Sequence, residues 1–146
     1  MNISLDKKLS IEECIFLLGV EFTPDELYNR VDINQYACKL SEKALFLLVE
    51  DNVGNRQGFI AYYLNQEEAF VFITRIAVSE HCRHQGIGRF LIDKLSEAYS
   101  DTYDSIVLEV EKTNESARRF YQSLGFLLKE DRQTKLLLIK NIKDKQ

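Results

Sequence analysis

Apolar residues recur near the 3.6-residue period of an amphipathic helix over residues 8–19 (Leu9, Ile11, Ile15, Leu18) and again over 32–44 (Ile33, Tyr36, Ala37, Leu40, Ala44). Between them, Thr23-Pro24-Asp25-Glu26 places a capping hydroxyl before a proline, which predicts a short helix opening there. Residues 1–42 therefore read as helical. From Leu45 the pattern changes to short apolar or alternating runs at 44–50, 58–64 and 69–78, the first two separated by a polar turn with Gly54, and these predict three antiparallel strands. Helical spacing returns over 87–99 (Ile87, Phe90, Leu91, Leu95, Ala98). A strand is predicted at 106–110, then a helix through Ala117, Phe120, Tyr121 and Leu124 that Gly125 stops as a left-handed cap. A terminal hairpin over 126–131 and 134–140 completes the order. The sum is an α/β (α+β) domain with a mixed, mostly antiparallel sheet and one parallel crossover, flanked by helices.

With 146 residues, one domain over 1–146 is expected. At 45% hydrophobic and 29% charged residues the chain can bury a core and keep a solvated surface, which argues against long disorder. A net charge of -4 supplies no general attraction for nucleic acid. No apolar run is long enough to span a membrane, and Met1 to Lys8 lacks the order of a signal peptide, so a cytoplasmic protein is expected, with no membrane partner. Cys14, Cys38 and Cys82 fit neither a disulfide framework nor a metal knuckle; free thiols and no metal are expected.

The segment richest in chemistry runs from Val78 through Ser79-Glu80-His81-Cys82 to Arg83-His84-Gln85-Gly86-Ile87-Gly88-Arg89. A glycine-rich turn between a strand and a helix leaves backbone N–H groups pointing outward, and the helix dipole adds to their pull on an anion. Gly86 and Gly88 admit a close approach, and Arg83, His84 and Arg89 add positive charge. A pyrophosphate fits such a turn. The dinucleotide fingerprint is broken because Leu91 stands at its third glycine, and no P-loop is present.

Arg83-His84-Gln85-Gly86-Ile87-Gly88 resembles the Arg/Gln-x-x-Gly-x-Gly/Ala acetyl-CoA signature of the GNAT N-acetyltransferase superfamily. Glu109-Val110-Glu111-Lys112-Thr113-Asn114, followed by Ala117, Tyr121 and Gly125-Phe126, resembles that family's second block. The likeness covers about residues 44–140, which become a cofactor-binding core, with 1–43 as a helical acceptor-side region. It implies a GNAT-like fold in which acetyl-CoA, the acetyl donor, enters a splayed pair of parallel strands ending here at Val78 and Glu111. By position, the backbone of Ile76, Ala77 and Val78 would meet the thioester and pantetheine, with the Val78 N–H as oxyanion donor. Residues Arg83, His84, Gln85, Gly86, Ile87, Gly88 and Arg89 would hold the pyrophosphate. Asn114 would bond the cofactor arm, and Ala117 and Phe120, with Tyr121, would line it.

The implied reaction is attack of a neutral amine on the thioester carbonyl within a ternary complex. Tyr121, seven residues after Asn114, matches the family's thiol acid; packing against Ala117 and Leu124 is its plain alternative. For the base the choices stay open: Glu109, either partly buried with a raised pKa or at a strand end facing the cleft; Glu111 on the same strand face; or a water relay. Thr74 and Arg75 could hold that water or an acidic group of the acceptor. His81, His84 and Cys82 belong with the phosphate loop rather than with catalysis. Residues 1–42 carry the whole net charge of -4, which suits a cationic amine or a solvated face. Phe22-Thr23-Pro24 and Arg30-Val31-Asp32 resemble the helical region of GNAT proteins from bacterial surface-polysaccharide clusters, implying an amino sugar or its nucleotide as acceptor. A protein N-terminus or lysine is the runner-up, a non-catalytic CoA-binding module a third reading, and a homodimer is left open.

Overall fold

The structure, a computed structural model, describes residues 2–18 and 32–143. Its elements are β1 (Asn2–Lys7), α1 (Ile11–Leu17), α2 (Ile33–Lys43), β2 (Leu45–Glu50), β3 (Arg56–Asn65), β4 (Phe70–Val78), a single 3-10 turn (Glu80–Cys82), α3 (Ile87–Tyr99), β5 (Ser105–Glu111), α4 (Glu115–Ser123), β6 (Leu127–Arg132) and β7 (Lys135–Asn141). The strands follow the order β1-β2-β3-β4-β5-β7-β6, mostly antiparallel with one parallel pair, as expected for the fold class. Backbone contacts divide the chain into two compact units, and β4 crosses from one to the other at Thr74 and Arg75. The short helix expected after Thr23-Pro24, and the Phe22 to Val31 likeness, lie outside the described residues.

In the first unit, α1 and α2 cover one face of β2 and β3. The core there joins Leu9, Cys14, Leu17 and Leu18 to Ala37 and Leu40, and to Phe46, Leu48, Phe59 and Ala61 of the strands. Strand alternation explains the choice: Phe46 lies opposite Ala61 and Leu48 opposite Phe59, so one face of the ladder is wholly apolar. Each of the fully buried Phe46 and Phe59 side chains contributes about 1.5–3 kcal/mol. Helix α1 starts where Ser10 caps it: the Ser10 hydroxyl accepts from the Glu13 N–H at 3.1 Å, and the Glu13 carboxylate accepts from the Ser10 N–H at 3.2 Å. The same carboxylate meets Arg56 at 3.3 Å. The Ser10 backbone first, then Arg56, hold the Glu13 carboxyl below the usual range. Asp32 caps α2, accepting from Asn34 and Gln35.

Residues 2–7 correct the sequence analysis, which reads 1–42 as helical. They form β1, antiparallel to β2, with Ile3 opposite Val49. The physical reason is a period-two alternation of Ile3 and Leu5 with polar neighbours, too short to stand out and left partly exposed at a sheet edge. Asp6 anchors it, taking a 2.8 Å hydrogen bond from the Tyr62 hydroxyl.

In the second unit, the first half of β4 pairs in parallel with β5 from Phe70↔Ser105 to Ile73↔Leu108. Strand β7 pairs with β5 along its whole length, Ser105 to Glu111. Helix α4 ends as the sequence predicts, with Gly125 at φ +94 and the Phe126 N–H returning to the Tyr121 carbonyl at 3.1 Å.

Burial pushes the Cys14 thiol up to about 11, and its side chain is fully enclosed. A thiol-specific chromogenic reagent at pH 8 is therefore expected to modify Cys38 and Cys82 in the native protein and to reach Cys14 only on unfolding. Labelling of Cys14 at the same rate as the other two, read by peptide mass, would contradict this packing.

Candidate functional site

The first unit carries the turn between β4 and α3. Its entrance is fixed by Ser79, which is 2% exposed and donates its N–H to the Gln57 carbonyl at 2.8 Å, while its own carbonyl accepts from the Cys82 N–H at 2.8 Å. Sequence reasoning missed this anchor, because Gln57 stands 22 residues earlier on β3. Arg83 leans back to donate to the Val78 carbonyl at 3.4 Å. The chain then bends through two left-handed residues, His84 at φ +65 and Gly86 at φ +79. The second is free for glycine; the first costs an L-residue on the order of 1 kcal/mol.

Helix α3 begins its ladder with the Phe90 N–H donating to the Gly86 carbonyl at 3.0 Å, so the amides of Ile87, Gly88 and Arg89 precede it and have no intrahelical partner. The first turn of α3 has no acidic residue and carries Arg89 against the helix dipole. Arg83, His84, Gln85, Gly86 and Arg89 are exposed, and no carboxylate among the described residues pairs with Arg83, His84 or Arg89. Ile87, 5% exposed, is the hydrophobic peg that holds the turn down. A Cβ at Gly86 would meet nothing within 4 Å, so its conformation and the open space before it, rather than packing, account for the glycine. Donors, cations and the absence of an acid in the first turn give this stretch a positive local field. His81 and Cys82 line a separate cavity of about 460 Å³ with Phe16, Asp51, Arg56 and Gln57. Just upstream, Ile76 and Val78 are half-buried, Ala77 is buried, and Thr74 and Arg75 are half-buried.

The second unit holds the remaining expected residues. Glu109 is exposed rather than partly buried, and its carboxylate meets Arg132 of β6 at 3.4 Å. Arg132 also binds Glu130 at 3.0 Å, and these two carboxylates, Glu130 first, hold its guanidinium charged. This partner of Glu109 is 23 residues away, brought alongside by the β5–β7–β6 ladder, so spacing could not reveal it. Glu111 is half-buried and accepts the Asn114 N–H on its backbone carbonyl at 3.0 Å. Asn114 caps α4, its Oδ1 accepting from the Ala117 N–H at 3.1 Å, which leaves its Nδ2 hydrogens for another partner. Ala117 and Phe120 are half-buried. Tyr121 is 9% exposed, its ring set edge-on to Phe120 at 5.3 Å and Phe126 at 5.5 Å. Among the described residues, no three His, Cys, Asp or Glu side chains stand close enough to hold a metal ion, and no helix is long and apolar enough to cross a membrane.

The sequence pattern of the acetyltransferase (GNAT) family matches residues 11–126. Human N-acetylaspartate synthetase is 32% identical over 99 residues, which are 67% of this chain and 32% of that protein, so the match spans about a third of its length. Among solved structures, the ribosomal-protein-S18-alanine N-acetyltransferase of Escherichia coli aligns over 99% of this chain and 96% of its own, with a TM-score of 0.75 and 18% identity. An aminoglycoside 6'-N-acetyltransferase complexed with coenzyme A aligns over 100% and 99%, with a TM-score of 0.76 and 15% identity.

Asn114 has a structural duty that is separable from any contact with a ligand. Asn114→Ala is expected to lower stability by about 1 kcal/mol, while Asn114→Asp keeps the capping oxygen and stays close to the parent. Thermal unfolding of the pair checks this; equal losses would show that the cap contributes nothing.

Proposed function

The chain belongs to the GNAT acetyltransferase family, and from that premise we propose that it moves the acetyl group of acetyl-CoA to a primary amine by direct attack. The observation that carries the proposal is the turn before α3, where left-handed His84 and Gly86 lead into a helix whose first amides have no intrahelical partner, beside Arg83 and Arg89, which no carboxylate among the described residues pairs with. Those amides take the pyrophosphate oxygens, and the arginines add positive charge. The backbone of Ile76, Ala77 and Val78 takes the pantetheine and thioester, with the Val78 N–H directed at the carbonyl oxygen as it gains charge. Asn114 offers its Nδ2, and Ala117 and Phe120 offer apolar surface.

Chemistry then needs two proton transfers. The amine nitrogen bonds to the thioester carbon, the carbon–sulfur bond breaks, and the departing thiolate takes a proton from the Tyr121 hydroxyl. The proton lost by the amine goes to Glu109, or to Glu111 or water in its place. Arg132, 3.4 Å from the Glu109 carboxylate, holds that side chain in place. A small-molecule amine is the acceptor we favour, an amino sugar or an amino acid, because the human relative is named for making a small N-acetylated product.

Calorimetry with acetyl-CoA, followed by CoA release across a panel of amino sugars, amino acids and N-terminal peptides, tests the proposal. Binding and release with one small-molecule class are expected; release with peptides alone would move the acceptor to proteins. Gly86→Asp is expected to abolish acetyl-CoA binding in a folded protein, since it adds a side chain and a negative charge where phosphate lies; unchanged affinity would remove the phosphate role of the turn. For the chemical steps, Tyr121→Phe is expected to lower turnover by about 10–10³-fold and Glu109→Gln by about 10²–10⁴-fold, with acetyl-CoA affinity nearly unchanged in both. Full turnover in either variant would reduce that residue to packing or surface charge.

A further inference from the structure

Glycine in mid-strand weakens a sheet, and its presence marks a place where something approaches closely. Gly58 lies within β3, opposite Val49 of β2, and its backbone is not left-handed, so conformation does not call for glycine there. Space does. A Cβ at this position would stand 3.1 Å from the Ala77 carbonyl oxygen, 3.2 Å from Ile87 Cγ2 and 3.2 Å from Leu91 Cδ1. These are a backbone atom of β4 and two side chains one turn apart on α3, 5% and 0% exposed. The first is backbone and the other two belong to side chains enclosed in the core, so none has open space into which to swing.

We infer that Gly58 is a positioning residue for donor binding, its missing side chain setting how closely the first turn of α3 and the end of β4 seat against β3. The inference rests on the proposed acetyl-CoA reading. Its neighbour Gln57 accepts the Ser79 N–H at 2.8 Å, so two consecutive residues of β3 locate both ends of the phosphate turn: Gln57 its entrance, Gly58 its helix. A methyl group at 58 must displace one of its three neighbours by a few tenths of an ångström. If α3 gives way, the amides of Ile87, Gly88 and Arg89 move. If β4 gives way, Ala77 moves, and with it the Ile76 and Val78 backbone on either side. Either response shifts groups that touch the donor, while Glu109, Glu111 and Tyr121 stand on other elements.

Gly58→Ala is the test, read by calorimetry and by steady-state kinetics at a temperature where circular dichroism shows the protein folded. The expected result is a rise of about 10-fold in the acetyl-CoA Kd and KM. At saturating donor, kcat and the KM for the amine are expected to stay within about 2-fold. Leu95→Ala, which loosens α3 two turns further along, serves as the reference for a merely structural effect and is expected to leave the acetyl-CoA Kd unchanged. Donor affinity unchanged in Gly58→Ala, or lost equally in Leu95→Ala, would overturn the inference. Absence of acetyl-CoA binding by the unaltered protein would instead overturn the reading on which it rests. Should Gly58→Ala not fold, Gly58→Ala/Leu91→Ala, which relieves the Leu91 contact alone and leaves those with the Ala77 carbonyl and Ile87, is compared with Leu91→Ala; the same 10-fold rise supports the inference, and equal affinities overturn it.

Discussion

A helix must begin somewhere, and its first amides have no carbonyl behind them; in α3 that unavoidable deficit is placed next to a turn the chain resists making. Most helices satisfy these donors with a capping side chain, as Ser10 does for α1, Asp32 for α2 and Asn114 for α4. Helix α3 instead follows a left-handed histidine and a left-handed glycine, with an arginine in its first turn where an acid would be favourable. Three local rules are broken within six residues. An anion at that place repairs all three, by accepting the amides, opposing the arginine and rewarding the strained bend.

Holding such a turn open requires rigidity in what surrounds it. Ile87 is driven into the core directly after the exposed stretch, and Ser79 is pinned to Gln57 directly before it. Between these anchors the polar residues have no choice but to face outward. The apolar ladder of β2 and β3, covered by α1 and α2 on one face, supplies the platform. In the second unit the same division of labour recurs on a smaller scale. Val110 and Tyr121 are buried while Glu109 between its apolar neighbours is turned out to Arg132, so one strand supplies both packing and a carboxylate.

Much of this was legible in the sequence because it depends on short-range periodicity. The α3 and α4 stripes, the apolar run of β5 and the stop at Gly125 each need only a few adjacent residues to declare themselves. The turn between β4 and α3 was legible for the same reason, as Gly86 and Gly88 sit between a strand and a helix. What escaped depends on partners distant in the chain. Strand β1 has only Ile3 and Leu5 to mark it and exists because β2 offers an edge. The Glu109–Arg132 pair and the Ser79–Gln57 anchor are products of strand order. Gly58 did leave a signal, a glycine inside an apolar run, whose meaning appears only once Ile87 and Leu91 are seen against it.

Backbone amides at the start of α3 are proposed to bind the donor's pyrophosphate. Amide-resolved nuclear magnetic resonance of the folded chain, titrated with acetyl-CoA and in parallel with acetyl-pantetheine, which lacks the pyrophosphate, examines those donors directly. The N–H signals of Gly86, Ile87, Gly88 and Arg89 are expected to shift strongly with acetyl-CoA and little with acetyl-pantetheine. Saturable binding of acetyl-CoA that leaves these four signals in place would contradict it.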